Sequence, residues 1–505
     1  MKYIIKTYIL LLLATSAASC EGFLEKYPES SIPAQMTTVA ETVQVDYGIF
    51  SCFKNPSLYS GTLTLGQDLQ SDLVYAFEGY TNAYGQVYRW DLLSTDTEVE
   101  KVYAGFTQAI SRCNFLLDNA DALLATLTAK ADIETVKKCM GDAHFARALG
   151  YAELLKVYSK AYPANDELAK DATTYPGVSL VLTYDDSQPV PMRSSLYDSY
   201  QQVLKDLEKA AELLKTRSLA ADNPYFTTGT VNALYARTYL YMRNYQKAAE
   251  YATKVIDSKV YTLADANKST HTAQYNDYRF MWLYDSSDEI IWKVSNSYTD
   301  RGGALGQIFL GFDYAGHYRA DFAPCSWVED LYTRNDYRYA AFFMQQATTI
   351  YGHTATLLRK YAGNPEFDQQ AGQYLYTNMP KPFRLAEQYL IRAEANYYLK
   401  NETDANKDLT TLRRARIAGY GSSSTGGTAM LKEIRDERVR ELMMEGFRLS
   451  DLKRYGEGFT RKPQKGSYNG PDRLTIKASN PLFTWPIPQH EIDAVPGMQG
   501  NESNQ

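Results

Sequence analysis

Three glutamates spaced four residues apart are the strongest candidates for chemistry in this sequence. Glu437, Glu441 and Glu445 stand at i, i+4 and i+8, so a helix would align their carboxylates along one face. Such a row could bind a metal ion. Helical carboxylate sites usually add a histidine three residues after a glutamate, however, and this segment has none. No metal site is therefore predicted.

Arginines in the same segment supply partners for carboxylates. At helical spacing Arg438 can reach Glu441, and Arg448 can reach Asp451. The segment therefore predicts structural ion pairing along a helix.

Motifs of catalysis are missing from the sequence. It contains no Gly-x-Ser-x-Gly and no His-Glu-x-x-His, and the glycine-rich residues 302–306 lack the Lys-Ser/Thr ending of a phosphate-binding loop. The 59 Asp and Glu residues could still include a glycosidase pair, whose separation a sequence cannot show. We predict that the protein is not an enzyme and needs no cofactor, with a surface hydrolase as an alternative.

The first twenty residues have the order of a lipoprotein export signal. A short positive start is followed by the apolar residues 7–14 and by small residues that lead into Cys20. The apolar part is shorter than the roughly 20 residues that span a bilayer. Because the stretch before Cys20 resembles a bacterial lipobox, we expect residues 1–19 to be removed, Cys20 to be lipidated and residues 20–37 to form a tether. An ordinary signal peptide beside a chance cysteine is the alternative.

Charge and cysteine content exclude some classes of partner. The net charge of −6 is spread without a basic block, which argues against nucleic acid. The remaining cysteines show no Cys-x-x-Cys spacing: Cys52, Cys113, Cys139 and Cys325. We expect buried free thiols, with one disulfide as the alternative.

The elements that must position any site are mainly helices. Helical periodicity begins near Thr38 and is strong over residues 98–127 and 142–158 and after Ser195, where Asp198 suggests a helix cap. Residues 236–248 and 393–405 repeat one pattern, in which a helix, a basic-Asn turn and a second helix follow each other. That pattern is typical of tetratricopeptide pairs.

The two copies of the pattern stand 157 residues apart, so inserted segments must separate them. The largest spans about residues 261–378, with a short strand expected at 289–294 and a helix at 326–332. We predict a mainly α fold. Tetratricopeptide-like helix pairs would form a right-handed superhelical frame, with a large irregular loop-rich insertion and a few short strands.

Four motifs in order resemble the SusD/RagB family of outer-membrane lipoproteins. Cys20 with Phe23-Leu24-Glu25 and Pro28 is similar to the family's start, and residues 384–395 to its late tetratricopeptide helix. Residues 437–455 resemble its Glu-Arg-rich helix, and residues 485–492 its closing Pro-Ile-Pro motif. The sequence departs from the family pattern at Ser450 and at residues 495–498.

The resemblance implies a single SusD-like domain over residues 38–505. It also implies a protein that caps a SusC-type TonB-dependent β-barrel in the outer membrane and delivers to it a captured nutrient, usually an oligosaccharide. A peptide-binding member of the family, or a tetratricopeptide scaffold lipoprotein without a small ligand, are the alternatives.

Aromatic and acidic residues in two irregular stretches are the predicted ligand contacts, because the family's binding residues come partly from the region before the first long helices. The predicted contacts are Asp72, Tyr80, Tyr84, Tyr88 and Trp90, followed by Tyr314 and Trp327. The alternative is that these rings pack the loops onto the helical frame.

Overall fold

A computed structural model describes residues 35–185, 187–313, 315–368, 375–465, 467 and 475–505. The predicted signal peptide, Cys20, most of the tether and Tyr314 lie outside the described residues.

Helices dominate the described residues. In chain order they are α1 Val39–Cys52, α2 Thr62–Leu69, α3 Gly85–Arg89, α4 Thr97–Leu124, α5 Lys130–Tyr158, α6 Asp166–Ala169, α7 Leu196–Leu213, α8 Thr228–Tyr241, α9 Tyr245–Asp257, α10 Asp277–Tyr284, α11 Gln307–Leu310, α12 Ser326–Glu329, α13 Tyr337–Phe342, α14 Leu385–Tyr398, α15 Glu402–Arg414, α16 Gly427–Leu442, α17 Arg448–Tyr455 and α18 Gln489–Ala494. Single 3₁₀ turns follow at Pro481–Phe483 and Glu502–Asn504. None of the described helices is long and apolar enough to cross a bilayer.

Short strands pair two by two. They are β1 Val74–Ala76, β2 Pro176–Ser179, β3 Arg193–Ser195, β4 Ile290–Trp292, β5 Phe322–Pro324, β6 Phe343–Thr348, β7 Thr354–Leu358, β8 Phe383–Arg384, β9 Phe459–Thr460 and β10 Thr475–Ile476. The antiparallel pairs are β1–β5, β2–β3, β4–β8, β6–β7 and β9–β10. Their lengths of two to six residues make them ties between loops rather than a sheet that could carry the fold.

The first helices begin where their capping residues predict. Thr38 accepts a hydrogen bond from the Glu41 amide at 3.2 Å, and the Glu41 carboxylate accepts one from the Thr38 amide at 2.9 Å. Ser195 likewise accepts from the amide of Asp198 at 3.0 Å, which starts α7. Helices α1, α4, α5 and α7 pack side by side. They enclose the helical core, a cluster that includes Phe106, Phe145, Leu149 and Leu207.

The repeated sequence pattern forms two helix pairs, α8–α9 and α14–α15. At both turns the basic residue is left-handed, with φ +59° at Arg243 and +65° at Lys400. Helix α9 packs directly on α14. Small buried side chains such as Ala248, Ala252 and Ala395 fill that interface. Copies far apart in sequence therefore stack in space, which confirms the predicted mainly α fold with tetratricopeptide-like pairs.

Residues 261–378 build a second hydrophobic cluster, the insertion core, together with α2, β1 and the residues after it. Its central side chains are Tyr75, Tyr278, Trp282, Phe322 and Phe342, all at most 1 % exposed. The predicted strand at 289–294 is β4, and the predicted helix at 326–332 is the four-residue α12. The insertion contains more regular structure than the sequence suggests, including α10 and the β6–β7 hairpin.

The C-terminal segment packs back on the first half of the chain. The Trp485 amide donates to the Val157 carbonyl at 3.1 Å, and its indole donates to Gln70 Oε1 at 2.7 Å. Asn501 Nδ2 donates to the carbonyls of Tyr158 and Trp485, both at 2.8 Å. The segment thereby closes the helical core.

The four cysteines of the described chain are buried and unpaired, as the sequence predicts: Cys52, Cys113, Cys139 and Cys325. Burial raises the pKa of the Cys325 thiol to about 12. These thiols are therefore packing groups at neutral pH.

Candidate functional site

The row of three glutamates lies in the interior, where arginines surround it. Glu441 accepts hydrogen bonds from Arg384 at 2.9 Å, from Arg416 at 3.0 Å and from Arg338 at 3.1 Å. Burial alone would raise the pKa of Glu441, but the three guanidinium charges outweigh burial and bring it below its ordinary 4.5. The carboxylate is thus ionised and fully paired.

The two other carboxylates of the row are paired in the same way. Glu437 accepts from Arg338 and Arg413, both at 2.7 Å, and Glu445 accepts from Arg384 and Lys360, also at 2.7 Å. Among the residues that the structure describes, no group of three or more His, Cys, Asp or Glu is placed to hold a metal ion. The row holds the fold together.

The individual pairs predicted along this helix are wrong. Arg438 pairs with Asp451 at 2.9 Å instead of Glu441, and Arg448 binds Asp72 through two hydrogen bonds of 2.8 Å instead of Asp451. Helix α16 ends at Leu442, and residues 443–447 turn the chain before α17 begins. Arg448 and Asp451 do share α17, but Asp451 accepts instead from Arg438 across the turn and from Arg454 on its own helix, so spacing along one helix does not predict the partners.

Asp72 is consequently engaged in an ion pair inside the protein rather than open to solvent. Its side chain is buried against Arg448, whose guanidinium also lies over the ring of Trp327 at 5.5 Å. The Trp327 indole in turn donates to the Asp72 carbonyl at 2.9 Å. The structure brings these two predicted contacts together, but in a cluster that fastens α12 and α17 to the residues after α2.

Tyr88 and Trp90 are also core residues rather than open ring faces. Tyr88 is fully buried, and its hydroxyl accepts a hydrogen bond from the Ala76 amide at 3.0 Å. Trp90 is 2 % exposed, packs on Phe483 and donates its indole N–H to the Gln70 carbonyl at 2.7 Å. Both side chains fasten α3 to the frame, and neither presents an open ring face.

Two of the predicted residues take intermediate positions. Tyr84 is half-buried where the helical and insertion cores meet, and burial raises the pKa of its hydroxyl. Tyr80 is half-buried with its ring packed on Phe322, and Arg89 donates to its hydroxyl at 2.8 Å. Tyr80 lies in a loop whose neighbouring residues Thr81 and Asn82 are exposed.

One buried carboxylate holds the loops around Tyr80. Asp321 accepts from the amide and the hydroxyl of Thr81 at 2.8 and 2.6 Å, and from the Tyr351 hydroxyl at 3.3 Å. Its own carbonyl accepts from the Phe77 amide at 3.0 Å. Asp321 therefore fixes residues 77–84, which follow β1, against the turn between β6 and β7.

Three loops together form what we call the aromatic surface, made of Tyr80, Phe312, Tyr318, Tyr351 and His353. Tyr351 and His353 both stack on Phe77, at 5.7 and 6.0 Å between centroids. Phe312 packs edge-on against Tyr318 at 5.0 Å and is 49 % exposed. The Tyr318 amide donates to the Thr348 carbonyl at 3.0 Å, which fastens its loop to the hairpin.

Three of the eleven left-handed non-glycine residues in the described chain lie in the ten residues that follow Tyr80. Asn82, Tyr84 and Trp90 all have left-handed backbones, with φ of 66°, 54° and 60°. For the two aromatic residues this conformation costs about 1–2 kcal/mol each, and asparagine tolerates it better. Strain of this kind persists where surrounding contacts enforce it, and it is frequent at ligand sites.

Sequence reasoning missed four of the five residues of the aromatic surface. Phe312, Tyr318, Tyr351 and His353 are distant in sequence from Tyr80 and meet it only through the β1–β5 pair and the hairpin turn. Gly352, with φ +78°, is the one local signal that marks that turn. Tyr314, which the sequence predicts as a contact, lies outside the described residues.

Comparison with known proteins matches the chain to two family models. Residues 195–503 match the model of the SusD family, and residues 22–240 match a model described as starch-binding and associating with the outer membrane. A curated relative, the starch-binding protein SusD of Bacteroides thetaiotaomicron, is 24 % identical over 474 residues. The match covers 82 % of this chain and 79 % of the relative.

Solved structures share the fold. A SusD superfamily protein from Bacteroides thetaiotaomicron superimposes with a TM-score of 0.78 at 22 % identity, covering 92 % of this chain and 99 % of that one. A putative sugar binding protein from Bacteroides vulgatus gives 0.75 at 23 % identity, covering 93 % and 100 %. At these identities the likeness establishes the architecture, and the residues of any site must be argued from this chain.

Proposed function

The chain belongs to the SusD family, and from that premise we propose that it is a nutrient-binding protein of the bacterial cell surface. In this proposal it captures an oligosaccharide, carries out no catalysis and delivers the sugar to a TonB-dependent transporter of the outer membrane. The starch-binding relative and the sugar-binding structural neighbour support a carbohydrate as the ligand class.

The observation that carries the proposal is the aromatic surface. Sugar rings present apolar C–H faces between their hydroxyls, and aromatic side chains with a few polar groups suit both features. Tyr80, Phe312, Tyr318 and Tyr351 supply rings on neighbouring loops, and Arg319 and Asn82 are exposed polar groups beside them.

Several rings are needed to bind a sugar chain. If one ring removes about 100 Å² of apolar surface from water, the gain is about 2.5 kcal/mol before costs. Association itself costs at least ~4 kcal/mol, and micromolar affinity corresponds to about −8 kcal/mol. Three rings give about 7.5 kcal/mol before costs and about 3.5 kcal/mol after them, close to millimolar affinity, so tighter binding needs further rings or hydrogen bonds to the sugar hydroxyls. A surface with several rings therefore fits better than a single exposed tryptophan.

The membrane anchor belongs to the same proposal. Lipidation at Cys20 would place the protein on the outer membrane, and residues 20–37 would let it move against a SusC-like barrel while remaining attached. A Cys20→Ser variant is expected to leave the membrane fraction and to stop supporting nutrient uptake.

Glycan binding at the aromatic surface can be tested with the chain that starts at residue 21. Affinity electrophoresis through gels containing amylopectin, xylan, galactomannan or dextran would show which polymer retards the protein. We expect one of them to do so, and Phe312→Ala and Tyr80→Ala to weaken the retardation about tenfold each, as the loss of a ring contact predicts.

Tyr298→Ala serves as the matched control, because Tyr298 is 38 % exposed and is not part of the aromatic surface. It should bind like the wild type. If no glycan is retained but a mixture of peptides is, the ligand is a peptide. If neither is retained while other proteins of the cell envelope are captured, the protein acts as a scaffold and the proposal is wrong.

A further inference from the structure

A groove lined by two exposed tyrosines lies in a different part of the fold from the aromatic surface. It has a volume of about 320 Å³ and is formed by α1, residues 224–225 and residues 292–300. Trp292 and Phe50 in its wall belong to or pack on the helical core. The aromatic surface rests instead on the insertion core, through rings such as Tyr80, Tyr318 and Tyr351.

Both tyrosines of the groove are exposed, and contacts with the protein interior hold Tyr225. Tyr47 is 55 % and Tyr225 is 45 % exposed. Tyr225 packs edge-on against Phe50 at 5.7 Å, and the Trp292 indole donates to the Pro224 carbonyl at 3.0 Å, directly before Tyr225. The Tyr225 ring is therefore positioned before any ligand arrives, which lowers the entropy lost on binding.

A buried amide without an acceptor lines the same groove. Asn296 is 7 % exposed, and its Oδ1 accepts from the Gly302 amide at 3.1 Å. Its Nδ2 is buried and donates to no acceptor among the residues that the structure describes. Buried donors are almost always satisfied by protein or by water, so this one is left to a water or a ligand in the groove.

The charges around the groove are balanced. Lys54 pairs with Asp300, and Lys293 pairs with Asp222 at 2.8 Å while donating also to the Asp285 carbonyl at 2.9 Å. Because each ammonium group already has a carboxylate partner, the groove favours a neutral ligand over an anionic one.

We propose that this groove is a second saccharide-binding site, which takes one sugar unit of a neutral glycan. The sugar ring lies against Tyr225 and Tyr47, and one hydroxyl oxygen accepts a hydrogen bond from Asn296 Nδ2. The volume is at the low end of small-molecule sites, about 300–1,000 Å³, which suits a single unit. The inference takes its ligand class from the proposed function but concerns a separate site.

The test uses residues 21–505 and saturation-transfer NMR with maltoheptaose, xylohexaose, mannohexaose and isomaltohexaose as probes. The background is the double variant Tyr80→Ala/Phe312→Ala, which lacks two rings of the aromatic surface. We expect one probe to keep a signal in this background. Adding Tyr225→Ala or Asn296→Asp should then weaken its binding about tenfold, as the loss of a ring or of a buried donor predicts.

Two variants control for indirect effects. Tyr225→Phe keeps the ring and should bind normally, and Tyr298→Ala removes a nearby exposed ring that does not line the groove. Asn296→Asp keeps the acceptor for the Gly302 amide and replaces the donor by a second carboxylate oxygen, which also adds a negative charge. Thermal unfolding would show that each variant is folded.

The outcomes separate this site from the proposed one. If the Tyr80/Phe312 variant loses all binding, the second site is wrong and the aromatic surface stands. If Tyr225→Ala or Asn296→Asp abolishes binding while Tyr80→Ala/Phe312→Ala leaves it unchanged, the second site stands and the aromatic surface is wrong. If the wild type binds none of the probes, the second site is overturned, and the gels decide separately on the proposed function.

Discussion

Among single residues, buried charged groups are expected to contribute most to the free energy of unfolding. Glu441 is fully buried and contacts three arginines, which themselves are at most 1 % exposed. Replacing such a carboxylate by an amide leaves its partners partly uncompensated, which typically costs about 3–5 kcal/mol. We therefore expect Glu441→Gln to lower the free energy of unfolding by about that amount at pH 7, measured by urea denaturation.

The pH dependence gives a second readout of the same variant. The pKa of Glu441 is below 4.5 in the folded protein, so the unfolded chain binds the proton more readily as the pH falls below that value. The contribution of Glu441 to stability is therefore present above pH 4.5 and decreases below it. Stability of Glu441→Gln should fall less steeply than that of the wild type below pH 4.5.

A partly exposed carboxylate on the same helix is the control. Asp436 pairs with Lys432, whose side chain is 75 % exposed, at i, i+4 on α16. Such a pair contributes about 0.3–0.5 kcal/mol, so Asp436→Asn should change stability little. If Glu441→Gln is as mild as Asp436→Asn, the buried network does not stabilise the fold as described.

At the scale of elements, the turn between α14 and α15 contains a strained backbone residue, and a substitution to glycine would relieve the strain. Lys400 is exposed and left-handed, with φ +65°, a conformation that costs a non-glycine residue about 1–2 kcal/mol. Glycine removes that cost but adds about 0.5–1 kcal/mol of unfolded-state entropy. We expect Lys400→Gly to raise the free energy of unfolding by about 0.5–1 kcal/mol.

Lys407→Gly is the matched control, because Lys407 is also exposed but lies inside α15. Glycine in a helix interior should lower stability by about 1 kcal/mol. Urea denaturation should therefore show that the same substitution raises the free energy of unfolding at Lys400 and lowers it at Lys407, seven positions away. Equal losses at both sites would show that the turn is not strained.

The elements also show how far sequence reasoning reaches. Helix α7 and the repeat pairs follow from periodicity, caps and the basic-Asn turn, all of which are local signals. The short strands do not, because two or three residues leave no pattern and their pairing depends on loops elsewhere. The partners of Glu441 are likewise distant, with Arg384 57 and Arg338 103 residues away.

The candidate site was predictable only in part for the same reason. A stretch rich in aromatics before α4 suggests ligand contact, but whether a ring faces outwards or inwards depends on what packs over it. Trp90 is covered by Phe483, and Tyr88 packs on Phe322, both from distant parts of the chain. Tyr80, in the same stretch, lies instead where three loops meet.

At the scale of the whole molecule, α2 and the residue after it contact segments from the last part of the chain. Asp68 accepts from the amides of Gly446 at 3.2 Å and Arg448 at 2.8 Å, and burial raises the pKa of Asp68 to about 7. Gln70 accepts from the Trp485 indole, beside residues of α2 that belong to the insertion core. The helical core, the insertion core and the C-terminal segment therefore share one helix.

Because the two cores share that helix, we expect residues 38–505 to open as one cooperative unit. Cys113 lies in the helical core and Cys325 in the insertion core, and both are fully buried. Thiol labelling in increasing urea, followed at each cysteine by peptide mass mapping, measures the opening free energy of each core. The two values should agree within about 1 kcal/mol. A clearly lower value at Cys325 would mean that the insertion, which carries the aromatic surface, unfolds while the helical frame remains intact.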